Sequence, residues 1–303
     1  MRSRKNARIA WMLGFSWLME RLDMMNGAIR NTFIKDLQVN KASLTITFLV
    51  LLLLPVRPAI SQTGSPTYQY LHGAMVRGDT SKQELALVFT GDEYADGGMH
   101  IADILKKQGI KASFFLTGKF YRNAEFEEFI QVLDTGGHYL GAHSDQHLLY
   151  CDWINRDSLL LTQKQFRDDL QDNYKAMVSF GIKEEDALFF LPPYEWYNDS
   201  ISTWTSQMGL QLINHTHGTL SHADYTVPGT GTYRSSDEIF QSVLDYETSG
   251  SNGLNGFILL SHIGTVPERT DKFYFYLEKL VEELKLRAYR FKRIDELLVQ
   301  SLH

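Results

Sequence analysis

Cysteine is almost missing from the 303-residue chain: Cys151 stands alone. No internal disulfide is therefore possible, and a single thiol of this kind is expected to be buried rather than reactive. Long apolar runs are equally scarce. The uncharged stretch from Ala42 to Val56 is broken by Pro55 and is short for a membrane span, but it suits the apolar core of a signal peptide. Ala59 and Ser61 offer a cleavage point before Gln62, and Met24 or Met25 is a candidate start. An uncleaved N-terminal anchor is the alternative. The absence of cysteine near that point argues against a bacterial lipoprotein, and both readings place the body of the protein outside the cytoplasm.

Excess positive charge is missing too. Of 30 basic and 36 acidic residues, nine and three precede Gln62, leaving 21 against 33 and a net charge of −12 on the remainder. Such a surface repels nucleic acid and anionic membranes, so neither is an expected partner; a membrane contact would come only through an uncleaved leader. With 44% apolar and 22% charged residues, the chain has the composition of an ordinary globular protein with a core to bury. The expected organisation is a leader over 1–61, a linker and domain entry over 62–84, and one domain over 85–303.

Within that domain, apolar runs of strand length recur at 85–90, 111–117, 138–142, 187–191, 210–215, 256–262 and 289–294. Stretches of helical period lie between them. Ile101, Ile104 and Leu105 form one stripe ending at Gly109; Phe126, Phe129, Ile130 and Leu133 form another ending at Gly136. Phe166, Leu170, Tyr174 and Met177 make a third, Ser235 to Glu238 has the pattern of a capping box, and 271–288 completes the set. Strands alternating with helices imply parallel pairing. Seven such units suggest an α/β barrel, closed or nearly so, with an open sheet as the alternative.

In parallel barrels the chemistry gathers at the C-terminal ends of the strands. The residues just beyond the apolar runs are Asp92, Glu93 and Asp96; His143 and His147; Tyr194 to Trp196; His215 and His217; and His262. Carboxylates and histidines thus converge on one rim. Two imidazoles and a carboxylate make a three-donor site that leaves room for water, as catalytic zinc and related divalent ions require. A second carboxylate could take a proton from that water and a histidine could return one to a leaving group.

The succession "VFTGDE", "KASFFLTGKF", "GGHYLGAHSDQH", "FFLPPYEWYN" and "GFILLSHIG" resembles the polysaccharide deacetylases, the NodB-homology domain of carbohydrate esterase family 4, over roughly Leu85 to Leu298. The resemblance implies a distorted (β/α)7 barrel. It also implies one divalent metal, usually zinc, held by one carboxylate and two histidines, and removal of acetyl groups from amino sugars or sugar hydroxyls of a carbohydrate substrate. Carried over, His143 and His147 are metal ligands, His262 is the general acid, and Tyr194 offers its backbone N–H to the oxyanion.

Two departures stand out. The family's first motif is T-F-D-D, base then ligand, whereas this chain reads Thr90-Gly91-Asp92-Glu93. The ungapped match makes Asp92 the base and Glu93 the ligand. A second register, counted back from Ile104 and Leu105, puts Asp92 at the ligand position and leaves proton transfer to Glu93 or Asp96. The family arginine that pairs with the base is replaced by Leu191, for which Arg234 is a candidate substitute.

Trp153, Trp196 and Tyr197 are expected to offer aromatic faces to sugar rings. The cluster His215, His217, His222 and Asp224 reads as a loop shaping the cleft, with His217 facing substrate, in preference to a second metal site. The leading expectation is an exported metal-dependent deacetylase. A glycan-binding protein without turnover and a hydrolase of another non-peptide C–N bond are the alternatives.

Overall fold

The computed structural model describes residues 68–298; the expected leader over 1–61, with its proposed cleavage point, lies outside the described residues. The chain opens with a hairpin, β1 (Gln69–Leu71) and β2 (Ala74–Arg77). Seven strands follow: β3 (Glu84–Gly91), β4 (Ser113–Leu116), β5 (Tyr139–Ala142), β6 (Phe189–Phe190), β7 (Gln211–Leu212), β8 (Phe257–His262) and β9 (Arg290–Phe291). Each coincides with one of the seven predicted runs, β3 reaching one residue beyond its run at either end.

The sheet runs β1-β2-β8-β3-β4-β5-β6-β7, and β9 adds to β3 outside that path. The pairs from β8 through β7 are all parallel. A parallel bridge between Met75 and Ile213, with Asn214 N–H donating to the Met75 carbonyl at 3.0 Å, brings the last strand back to β2. The sheet therefore curls into a distorted barrel rather than lying open. Its strands are apolar on both faces for this reason. Ala86, Val88, Phe115, Leu191, Ile213, Ile258 and Leu260 fill the barrel interior, while Leu85, Leu87 and Phe89 pack outward against helices.

The helices are α1 (Gly98–Gln108), α2 (Gly118–Arg122), α3 (Glu127–Thr135), α4 (Gln163–Val178), α5 (Asp199–Gln207), α6 (Ser236–Ser249), α7 (Leu277–Leu286) and α8 (Ile294–Leu297). The predicted stripes are buried except for Phe126, which is half-buried ahead of α3; Gly109 ends α1 in the left-handed conformation, and Ser235 and Glu238 close the capping box of α6. Cys151 is buried.

One assignment needs correction. The described part of 62–84, the segment read as linker and domain entry, supplies β2, a buried member of the barrel wall. Its signal was hidden because four residues ending in arginine do not read as a core strand. Arg77 is nevertheless buried, its guanidinium held by the carbonyls of Gly253 and Asn255 at 2.7 and 2.9 Å and by the Tyr246 hydroxyl at 3.0 Å.

Two cavities flank the barrel. One of about 800 Å³ lies at the strand starts, lined by His138, Tyr139, Phe189 and Gln211. The other, about 680 Å³, lies at the strand ends and contains nearly all the residues singled out for chemistry. Packing between the strands is tight: a Cβ at Gly141, in β5, would sit 2.5 Å from the Phe115 ring. Gly141→Val is therefore expected to destabilise the protein by about 1–3 kcal/mol through overpacking, read as a lower Tm in thermal unfolding.

Candidate active site

The loop after β5 carries His143 and His147. It is not helical, so their convergence does not come from helical spacing. Ser144 and His147 instead adopt positive φ, 72° and 57°, a conformation costly for residues with a Cβ. Helix α4 holds it there. Asp169 accepts from Ser144 Oγ at 2.6 Å and from the N–H groups of Asp145 and Gln146 at 3.1 and 3.0 Å. Asn173 accepts from His143 N–H at 2.8 Å and donates to the Leu116 carbonyl at 3.2 Å. A single helix face thus fixes the loop to β4 and β5.

The two imidazole rings lie 5.1 Å apart. His143 donates from Nδ1 to the Leu191 carbonyl at 2.8 Å; since a carbonyl only accepts, Nε2 carries the free lone pair, the tautomer a metal needs. Burial drives the His143 pKa well below the ordinary imidazole value and that of His147 down to about 4. Both rings are neutral at physiological pH.

Asp92 faces this pair, with its carboxylate 3.9 Å from His147 Nδ1. It accepts from Thr117 Oγ1 at 2.9 Å and pairs with Lys119 at 3.1 Å. Glu93 lines the same cavity but is exposed, and among the described residues it has no hydrogen bond or ion pair with either histidine. This corrects the ungapped register: the carboxylate beside the imidazoles is Asp92, because Glu93 follows it out of the strand toward solvent. Asp96 is committed elsewhere, to Thr265 N–H, Tyr274 Oη and Lys272 Nζ at 2.8 to 3.0 Å, and fastens the loop after β8.

The second register, which puts Asp92 at the ligand position, puts Gly91 at the family's base position. A Cβ there would lie 2.8 to 3.0 Å from Ile263, Phe120 and Leu116, so the backbone is packed as glycine. Leu191 is fully buried inside the barrel. Arg234 does not replace the missing arginine: its guanidinium donates to the Tyr233 carbonyl, and it does not line the cavity.

Across the cavity, His262 Nδ1 meets Asp224 Oδ1 at 2.6 Å, and the His262 N–H donates to the other carboxylate oxygen at 2.8 Å. Burial pushes the His262 pKa down, but the charge and hydrogen bond of Asp224, together with the charge of Glu195, outweigh it and the net shift is upward. Asp224, read from sequence as part of a histidine loop, is therefore the partner of His262. No local pattern announces this, because the two residues are 38 positions apart.

His215, His217 and His222 do cluster, at ring separations of 4.7 and 4.5 Å. His217 is exposed on the cavity wall. Tyr194 has φ 59°; its ring packs on His147 at 4.5 Å, and its N–H has no acceptor among the described residues. Trp153, Tyr194 and Trp196 form an aromatic wall with ring separations of 5.6 and 5.5 Å, and Arg156 lies 3.5 Å over Trp196. Tyr197 is corrected: it is 1% exposed, with its hydroxyl donating to the Leu71 carbonyl at 3.0 Å, and serves as a wall of the core rather than a sugar platform.

Among the described residues, no three side chains of His, Cys, Asp or Glu are gathered closely enough to enclose a metal ion as they stand. The donor chemistry of Asp92, His143 and His147 nevertheless fits a divalent ion: one carboxylate and two neutral imidazoles, one with its lone pair fixed by a carbonyl behind it.

Comparison with known proteins agrees with this architecture. Residues 77–213 match the family model described as polysaccharide deacetylase. The chain is 23% identical over 230 residues to the peptidoglycan-N-acetylmuramic acid deacetylase PdaA of Bacillus subtilis, covering 76% of this chain and 77% of that protein. An uncharacterised 30.6 kDa protein of Geobacillus stearothermophilus is 24% identical over 232 residues, with the same coverage of both chains. The solved structure of Bacillus subtilis PdaA, a family 4 carbohydrate esterase, superimposes with a TM-score of 0.58 at 21% identity, over 75% of this chain and 85% of that one. A CE4 family pseudoenzyme from Bacillus anthracis gives 0.57 at 21% identity, over 76% and 70%.

Removing the brace on the histidine loop tests its role. Asp169→Ala leaves a hydroxyl and two N–H groups without their acceptor and is expected to cost at least about 2 kcal/mol of stability, read by denaturant unfolding.

Proposed function

We propose that this protein is an exported, metal-dependent hydrolase that removes acetyl groups from a carbohydrate, with zinc as the resident ion and an N-acetylated amino sugar as the substrate class. The observation that carries the reading is the opposition, across one cavity, of two neutral histidines with a carboxylate and a raised-pKa histidine backed by Asp224. The kinship with peptidoglycan deacetylases supports the same substrate class.

Asp92, His143 and His147 are the residues that would hold the ion, which supplies Lewis acidity toward the acetyl carbonyl and the attacking water. The aromatic wall of Trp153, Tyr194 and Trp196 stacks on sugar rings and orients the acetyl group. Tyr194 N–H, free of other acceptors, meets the negative charge that develops on the carbonyl oxygen. His262, kept protonated by Asp224, gives its proton to the leaving nitrogen. His217 lies where it can contact a neighbouring sugar hydroxyl.

A second reading, a glycan-binding protein without turnover, is favoured by Gly91 and Leu191, which leave the family's base and its arginine partner both absent. Acetate release from acetylated chitooligosaccharides, peptidoglycan and xylan fragments separates the two. The deacetylase reading expects release that a chelator abolishes and zinc restores, and that falls at least about 10³-fold in a folded His143→Ala variant. Stoichiometric zinc with no release from any of these glycans would favour the binding protein.

The His262–Asp224 pair makes a further pH prediction. Activity requires protonated His262, so it declines as pH rises through the raised pKa. Asp224→Asn removes the charge that raises it, and the alkaline limb of the rate profile is expected to move to lower pH. An unmoved limb would remove Asp224 from the mechanism.

A further inference from the structure

Resting on the deacetylase reading, we propose that Glu195 is the general base that takes the proton from the attacking water. A base is needed, and the residues expected to supply it do not. Gly91 has no side chain and no room for one. Asp92 is engaged by Thr117 and Lys119 beside the imidazole pair, Asp96 fastens the β8 loop, and Asp224 is committed to His262. Glu93 is exposed. His215 presents an unpartnered buried Nε2, but burial lowers its pKa to about 3, too weak for the task at neutral pH.

Glu195 is different in each respect. It lines the cavity together with Asp92, His143, His147 and His262. It follows Tyr194 with φ 53°, so two successive residues carrying side chains occupy the left-handed region, an arrangement that costs about 1–3 kcal/mol per residue. The turn is secured by Glu195 N–H donating to the Pro192 carbonyl at 3.2 Å and by Asn214 Nδ2 donating to the Glu195 carbonyl at 2.8 Å. The backbone is thus strained and braced to present this side chain, yet the carboxyl has no hydrogen bond or ion pair among the described residues. Such a group on the wall of a cavity is unfavourable for stability alone.

The charged and titratable groups facing it are His262 from β8 and Asp224 and Tyr225 from the loop before α6. Burial raises the carboxyl to about 7, with His262 opposing the rise and Asp224 adding to it. A base poised near neutrality is both ionised and strong enough to accept a proton.

The step balances without another reactant. Water oxygen bonds to the acetyl carbon as Glu195 takes one of its protons. The C–N bond then breaks, nitrogen keeping the electron pair and receiving the proton of His262. Acetic acid ionises to acetate, and the proton on Glu195 passes to His262, restoring both groups.

The test compares the wild type with Glu195→Gln and Glu195→Ala on whichever acetylated glycan of the panel the wild type hydrolyses fastest, with zinc content and glycan binding measured on each variant. The proposal expects zinc and glycan affinity unchanged, kcat lower by about 10²–10⁴-fold, and loss of the acidic limb, near pH 7, that the wild type shows in kcat/KM. Added formate should restore part of the activity of Glu195→Ala and none of that of Glu195→Gln. A Glu195→Gln enzyme within a few-fold of wild type, or one with raised KM or lost zinc and unchanged kcat, overturns the assignment while leaving the deacetylase intact. A wild type that releases no acetate overturns both.

Discussion

The site depends on how helix α4 grips the loop after β5. Asp169 and Asn173 lie one helical turn apart and together bind four groups of residues 143–146. These bonds, together with those from the Gly118 and Lys119 N–H groups to the Ser144 and Asp145 carbonyls, hold the left-handed conformations of Ser144 and His147. Without them, buried polar groups of the loop would be unpaired. Because Asn173 also bonds to β4, the brace ties the imidazole pair to the barrel wall, and the placement of the site follows from the packing of the domain.

The same economy explains why the cavity forms where it does. Parallel strands buried on both faces end together at one rim, so the segments that follow β3, β5, β6, β7 and β8 meet there, the long ones over 143–162 and 213–235 supplying most of the cavity wall. Neutral imidazoles on one side and a carboxylate-backed imidazole on the other are produced by one cause acting differently. Burial removes charge from His143 and His147, while for His262 the nearby Asp224 and Glu195 reverse the effect.

Much of this was legible in the sequence. Seven strands were readable because two-sided burial gives uninterrupted apolar runs, and the gathering of His143, His147 and His262 at one cavity was readable because each stands at, or within five residues of, the end of such a run. What was hidden is tertiary. β2 ends in an arginine that is buried only because distant carbonyls receive it, and Asp224 gains its role from a partner 38 residues away. Tyr197 looked like a platform beside Trp196, but a hydroxyl bonded to Leu71 keeps it in the core. The register at Thr90 to Glu93 could not be chosen from spacing alone, since adjacent carboxylates differ only in which way the strand end turns.

That turn joins the two departures from the family pattern. If Asp92 stands at the ligand position, Gly91 and Leu191 replace a base and the arginine that would pair with it, so both members of one ion pair are absent together. A core leucine in place of a buried guanidinium then needs no compensating charge, and the barrel interior is apolar up to the floor of the site.

The most direct test of the account is zinc stoichiometry in purified Asp92→Ala and Glu93→Ala, measured beside the wild type. The account predicts one zinc per chain in the wild type and in Glu93→Ala, and loss of that zinc in Asp92→Ala. Zinc retained by Asp92→Ala and lost by Glu93→Ala would contradict it, returning the site to the ungapped register.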